Sequence, residues 1–387
     1  MHFVKRVYVA HTINTVALSI ISIYVPAYLL THGYSLLAVI GFFAISHTGG
    51  LLYVLTVFPV IIKKWGLLRS FQLYYPLQIL YLFLLSTLHA YYIPLTVIAV
   101  IGGVANFAYW MPMNIFLIQY SQPLDMGGNL ANFFALPQIF SILGPLLSAV
   151  LIPFVGFWPV FGISMIGLIC SFIPLINVGR EKVTFTYSIS TSLQRFSRNK
   201  MLFFFEFLDN IIEESEWFWG IYAFLIIGSL TAPGIVGALQ AIGGALFTIF
   251  VGKMVHKHGW RLIPVAAFLL LGLTLSRMIV VNAVGAYVIT VTAAFVLMLF
   301  LVSYFSTVYK KVKNDNEEEF MILREISTVL GRLVVFAGIY VTAANLRYFF
   351  LLPLVTIIIM IILYLWKGKK TFGPEEEQQL ETTLRTV

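Results

Sequence analysis

Between Met201 and Trp217 an otherwise apolar segment carries five carboxylates: Glu206, Asp209, Glu213, Glu214 and Glu216 sit among Phe, Leu and Ile. At about 100° per residue on a helix, Asp209, Glu213 and Glu216 fall within about 80° of Glu206 on one side, and Glu214 falls about 80° to the other. The opposite side holds Phe204, Phe205, Phe207, Leu208, Ile211 and Ile212 without a charge. Such a face can carry protons, bind a cationic group, or serve as acid and base. Exposed to lipid, each central acid would cost about 2.5–3.5 kcal/mol. The face must therefore meet water, cations or other helices. One reading makes Glu213, with Asp209 or Glu216, a proton-coupling group; the other gives Glu206 and its neighbours permanent ion pairs between helices.

Counter-charges lie in the apolar run 320–344, as Arg324, Glu325 and Arg332. Glu325 and Arg332 are seven apart and share a face, and Arg332 lies about 18 Å along the helix from residue 320. The expectation is that Arg332 pairs with Glu213 in one state and releases it in another. A fixed bridge to Glu325 or to another acid of the 201–229 run is the alternative.

The first half of the chain offers hydrogen-bonding groups instead: His11 and Asn14, His47 and Thr48, then Asn106, Tyr109, Trp110 and Asn114, and finally Asn129, Asn132 and Gln138. Asn106, Trp110 and Asn114 recur every fourth residue and share a face. Amides beside an aromatic platform suit a sugar-like or amphipathic solute. Hydrogen bonds between helices are the commoner use of an Asn in an apolar helix. His11 is an additional candidate proton group.

The elements that position these residues follow from composition. Of 387 residues 60% are apolar and 10% charged, with mean hydropathy +0.94, against about a quarter charged in soluble proteins. No globular interior hides so much apolar surface, so the surrounding solvent is lipid. Spans of about 20 residues are expected at 7–31, 36–62, 70–89, 93–119, 129–152, 157–177, 201–229, 233–255, 262–281, 285–309, 320–344 and 346–366. The count is twelve, or eleven if one of the short joins merges. The first run continues past Lys5-Arg6 without a small-x-small exit site and is expected to be retained. Residues 178–200 divide the chain into bundles at 1–177 and 201–366, and 367–387 form a polar tail.

Of 24 Lys and Arg, 20 lie at the two ends or after even-numbered spans. That bias places both termini in the cytoplasm and the chain in the cell (inner) membrane. The net charge of +8 is spread between spans and forms no basic face for nucleic acid. The single Cys170 excludes a disulfide framework and a thiolate metal site.

Two short matches point to an internal repeat. Lys64-Trp65-Gly66 recurs as Lys257-His258-Gly259, an offset of 193, and Leu136, Ile139, Leu143, Gly144 and Leu146 recur as Leu323, Ile326, Leu330, Gly331 and Leu333, an offset of 187. Even-numbered halves repeated in one orientation imply parallel repeats packed about a central path.

Along its whole length the chain resembles the major facilitator superfamily of secondary transporters. The resemblance rests on Gly252-Lys253-Met254-Val255-His256-Lys257-His258-Gly259-Trp260-Arg261, on its partner Lys63-Lys64-Trp65-Gly66-Leu67-Leu68-Arg69, and on Gly144-Pro145. Gly252, Lys257, Gly259 and Arg261 fit the family's loop signature, and Lys64 and Gly66 its degenerate copy. The signature's acid is replaced by His256 and Lys63. The resemblance implies an all-α membrane protein with two six-helix halves around a cavity, gating loops at these positions, and a monomer.

No ATP-binding loop, metal-protease helix or nucleophile elbow occurs, and no cofactor is expected. The leading expectation is a transporter, not an enzyme, that moves a small solute by alternating access with proton coupling. The runner-up is a membrane-embedded enzyme acting on lipid-linked substrates with the carboxylates of 201–229 as acid and base. A receptor on the same fold is the third possibility.

Overall fold

The computed structural model describes residues 2–88, 93–120, 126–176, 196–197, 199–313 and 317–372. The expected linker 178–200 and the tail past 372 lie almost wholly outside them. Sixteen α-helices carry the described chain: α1 His2–Ser19, α2 Val25–Thr31, α3 Leu36–Thr56, α4 Phe58–Trp65, α5 Leu67–Gln72, α6 Tyr74–Ser86, α7 Leu95–Tyr120, α8 Met126–Ser141, α9 Leu143–Val155, α10 Trp158–Phe172, α11 Lys200–Ile227, α12 Ala232–His258, α13 Leu262–Ile279, α14 Ala283–Val312, α15 Glu317–Val341 and α16 Leu351–Phe372. The last helix runs past the expected boundary at 366.

Some apolar runs that read as single spans are two helices in line. The breaks fall between α1 and α2, α3 and α4, α5 and α6, and α8 and α9. In the second piece of each, a proline (Pro26, Pro59, Pro76 or Pro145) stands in the first turn. Proline has no N–H to donate and is tolerated there, where no intrahelical partner exists. Pro112, Pro137 and Pro153 stay within α7, α8 and α9 instead.

Among the described residues eight stretches are long and apolar enough to cross a membrane, which makes the chain a multi-pass membrane protein. Neither α11 nor α15 is among them. Their charges lower the hydropathy, and packing conceals those charges from lipid.

Packing places α3 against α7, α12 against α14, and α11 against α15, while α15 crosses to α3 and α12 to α8 and α9. Glycines set the closest approaches, and they do so in pairs. A Cβ on Gly331 of α15 would come within 2.6 Å of the Phe207 carbonyl on α11. One on Gly144 of α9 would come within 2.9 Å of the Ile20 backbone, just past α1. Gly50 of α3 similarly leaves room for the Phe107 ring of α7, and Gly243 of α12 for Ala294 of α14. Each pair keeps the offset of the sequence match beside it, 187 for Gly144 and Gly331 and 193 for Gly50 and Gly243. Gly66 and Gly259, at φ +83° and +54°, end α4 and α12 in conformations that other residues rarely adopt.

Gly331→Val is expected to destabilise the folded protein by about 1–3 kcal/mol through overpacking. Gly272→Ala, where an added Cβ meets nothing within 4 Å, should leave the melting temperature unchanged or slightly raised. Thermal denaturation of the two purified variants checks this, and equal effects would remove the close contact as the cause.

Candidate functional site: a central cavity and its ionic wall

Helices from both halves of the chain enclose a cavity of about 700 Å³, within the range of small-molecule sites. The first half contributes Asn14 on α1, His47 on α3, Gln78 and Tyr81 on α6, Asn106, Tyr109 and Trp110 on α7, and Gln138 on α8. The second half contributes Glu213, Glu214, Glu216 and Trp217 on α11, Gln240 on α12, Met298 on α14 and Arg332 on α15. A second cavity of about 300 Å³ shares Ser22, Ser141, Glu216, Trp217 and Gln240 with the first and reaches Pro26, Ile221 and Gly237. That direction leads away from the start of α1 and the end of α16.

At the opposite end the halves meet through polar contacts. Gln119 donates to Glu318 at 2.9 Å, Lys313 to the Gln119 carbonyl at 3.4 Å, and the Tyr309 hydroxyl to Asn114 at 3.1 Å. Asn114 thus joins α7 to α14 and does not line the cavity.

The five acids of α11 separate by partner. Glu206 accepts from Arg324 Nε at 2.7 Å, and Arg324 lies 3.9 Å from Glu325. Glu216 forms a two-pronged pair with Arg277 of α13, whose Nη2 reaches Oε2 at 2.5 Å. Arg277 also stacks over Trp219 at 5.0 Å, and Trp219 donates to Thr290 at 3.1 Å. Asp209 is fully buried and neither of its oxygens has a hydrogen bond. Glu213, its side chain 36% exposed, lies 3.6 Å from Arg332.

Glu214 sits 3.3 Å from Arg332 Nε and 3.6 Å from His47 Nε2. His47 thereby ties the first half to the ionic wall of the second. Its Nδ1 lies 3.0 Å from the Phe43 carbonyl, which can only accept, so Nδ1 carries a proton. In the neutral ring Nε2 is then an acceptor, and Arg332 Nη1 donates to it at 3.1 Å.

The first half's amides and phenols pair among themselves. Tyr74 donates to Asn14 at 2.7 Å, and His11 hydrogen-bonds Tyr109 and stacks on Phe133 at 4.0 Å. His11 lies behind the cavity wall. Gln138 lies 3.4 Å from the Thr248 hydroxyl of α12, and the Asn132 side chain is outside the described residues. Gln78, Asn106 and Gln240 line the cavity with no hydrogen bond from the described protein. Away from it, Lys64 and Lys257 are exposed near the ends of α4 and α12, Gly252 is buried within α12, and the Arg261 guanidinium is 6.0 Å from the Trp260 ring.

From the sequence Arg332 was expected at Glu213, or alternatively at Glu325 or another acid of this helix, and it lies near both Glu213 and Glu214; His47 and Arg277 were not expected as partners. The helical wheel displaced Glu214 from the acidic face because it cannot show a neighbour reaching from α3. The usable signal for Arg277 was a lone arginine in an apolar helix, which always needs a partner.

No family profile and no curated protein matches this sequence. Solved structures do. The transporter FucP in its outward conformation superposes with a TM-score of 0.72 at 13% identity, covering 92% of this chain and 96% of its own. This chain has the fold of a major facilitator superfamily transporter. The human organic anion transporter MFSD10 aligns at a TM-score of 0.62 and 14% identity over 92% of this chain and 99% of its own. An outward-facing bacterial homologue of the iron transporter ferroportin aligns at 0.66 and 13%, over 94% and 99%. On the major facilitator fold the cavity described above is central, with a wall from each half of the chain.

Arg277→Met is expected to cost about 3–5 kcal/mol, because Glu216 is left charged and unpaired in the interior. The double variant Arg277→Met with Glu216→Leu should recover most of it. Melting of the detergent-solubilised proteins tests the pair, and an unaffected single variant would mean that it does not support the fold.

Proposed function

We propose that the protein is a secondary active transporter that moves a small solute across the cell (inner) membrane by alternating access, coupled to protons. In this reading 1–177 and 201–366 are two six-span bundles, both termini are cytoplasmic, and a monomer is the working unit. One observation carries the proposal: the central cavity is lined by an Arg332–His47–Glu214 cluster that joins the two halves. The glycine contacts that recur at the offsets of the two sequence matches support the repeat. The second cavity supports access from the side opposite the termini.

With His47 neutral, its Nε2 accepts from Arg332 and holds α3 to α15. A second proton turns Nε2 into a donor. It can then no longer accept from Arg332, and Glu214 is the acceptor in reach at 3.6 Å. One proton therefore exchanges partners across the boundary along which the halves must rock. For the solute, Gln78, Asn106 and Gln240 offer unpaired amides, and Trp110 and Trp217 offer aromatic faces. Glu216 is neutralised by Arg277, so Glu213, Glu214 and Arg332 leave one net negative charge at a neutral His47. The cavity suits a neutral or cationic solute better than an anion. Proton coupling is known for one fold neighbour, the E. coli fucose:proton symporter.

A thermal-stability screen against sugars, amino acids, nucleosides, organic cations and organic acids identifies the solute class, since a ligand at 100 times its Kd adds about 2.7 kcal/mol. In proteoliposomes His47→Gln, which keeps an acceptor for Arg332 but cannot gain the proton, is expected to exchange that solute yet lose accumulation driven by a pH gradient. Arg332→Gln should abolish both. Transport with intact pH dependence in Arg332→Gln would sink the switching mechanism.

A further inference from the structure

Arg277, Arg324, Arg332 and His47 account for four of the five acids on α11. Asp209 is left over. It is 0% exposed, and neither oxygen has a hydrogen-bond partner. Glu206 Oε1, Asn210 Oδ1 of the next residue and the Tyr304 hydroxyl of α14, which interacts with both Glu206 and Asp209, are likewise buried without partners. Four of these five atoms are carboxylate or amide oxygens, which only accept when the acids are ionised; Tyr304 brings a donor, and Arg332 Nε, also without a hydrogen bond, lies 3.3 Å from Glu214. A buried acceptor left unpaired costs about 1–3 kcal/mol, and more when charged. The charges Asp209 meets are Glu206 and Glu213 on its own helix and Arg324 and Arg332 on α15. Both arginines are already engaged, with Glu206 and Glu325 and with Glu213, Glu214 and His47.

A proton on Asp209 would remedy both deficits. It removes the uncompensated charge and adds a donor to a set in which acceptors outnumber donors. Spacing adds a route. Glu206, Asp209 and Glu213 stand three and four residues apart, which stacks them along one face about 5–6 Å apart. Glu213 opens on the cavity, and Glu206 lies two turns away, toward the start of α11. We infer that Asp209 is a buried proton-binding site and that Glu213, Asp209 and Glu206 form a ladder carrying a proton between the cavity and the buried Glu206. Each transfer breaks one carboxyl O–H bond and forms another on the next carboxylate, with no redox change. The inference deepens the transporter reading, naming a proton path on the side away from the second cavity, and the path's role in coupling rests on that reading.

Infrared spectroscopy of the purified full-length protein tests the site without any solute. The wild type should show the carbonyl stretch of a protonated carboxyl at neutral pH, shifted in D₂O, and Asp209→Asn should lack it. Glu213→Gln should keep the band while slowing its exchange into D₂O by about tenfold or more, since a relay through an acid is lost. A wild type without such a band overturns the site, and so does a band retained in Asp209→Asn. The first of these outcomes needs only the wild type, so the site stays refutable even if Asp209→Asn folds poorly. An unchanged exchange rate in Glu213→Gln overturns the ladder. Loss of the band on adding sodium overturns the proton in favour of a metal cation. These readouts are independent of solute movement, so a protein that carries the band but transports nothing refutes the transporter reading and not the site.

Discussion

The arrangement of the second half follows from the need to accommodate five carboxylates on one helix, four of them buried. Each would be prohibitive alone in an apolar surrounding, so α11 can exist only where cations reach it from other helices. Arg277 arrives on α13, Arg324 and Arg332 on α15, and His47 on α3. That requirement selects the neighbours of α11 and the depth at which each helix sits. Gly331 serves the same end, since only a residue without a side chain lets α15 approach the Phe207 carbonyl closely enough for Arg332, one position on, to reach both Glu213 and Glu214.

The first half solves the same packing problem with neutral groups. Its α1 and the residue that follows it are held by serine hydroxyls that donate to backbone carbonyls: Ser148 to Ile20, Ser164 to Ala17 at 2.6 Å, and Ser171 to Ala10 at 2.7 Å. Tyr74 and Tyr109 add bonds to Asn14 and His11. The cavity is therefore asymmetric, with hydrogen-bonding amides and aromatic rings on one wall and compensated ions on the other. In the transport cycle proposed above, the first wall recognises the solute while a proton rearranges the second, and His47 touches both.

Much of this was legible in the residues themselves. Hydropathy and the Lys and Arg distribution define a multi-span chain, and the matches at Gly66 and Gly259 and at Gly144 and Gly331 fall where the structure places comparable turns and close contacts. The acids of 201–217 and the arginines of 320–344 marked the two helices that carry the ions. The breaks within apolar runs were less legible: Pro26 and Pro145 stand at the start of new helices while Pro112 and Pro137 stay inside theirs, and hydropathy is blind to whether a proline bends a helix or starts a new one. Asn114 and His11 show the limit from the other side, since a polar residue in an apolar helix has the same signature whether it faces a cavity, a tyrosine or another helix.

By itself the sequence determined which charges the membrane interior must accommodate, because that is a matter of composition and spacing along one chain. Only the tertiary structure decided which of them neutralise one another. Glu214 pairs with residues 167 and 118 positions away, His47 and Arg332, and among the five acids of α11 Asp209 alone is left without a partner. Pairing depends on distances of a few ångströms between helices, and an arginine or carboxylate side chain can point to either of two neighbouring faces. A helical wheel describes one helix in isolation, so the selection among partners appears only once the helices are packed.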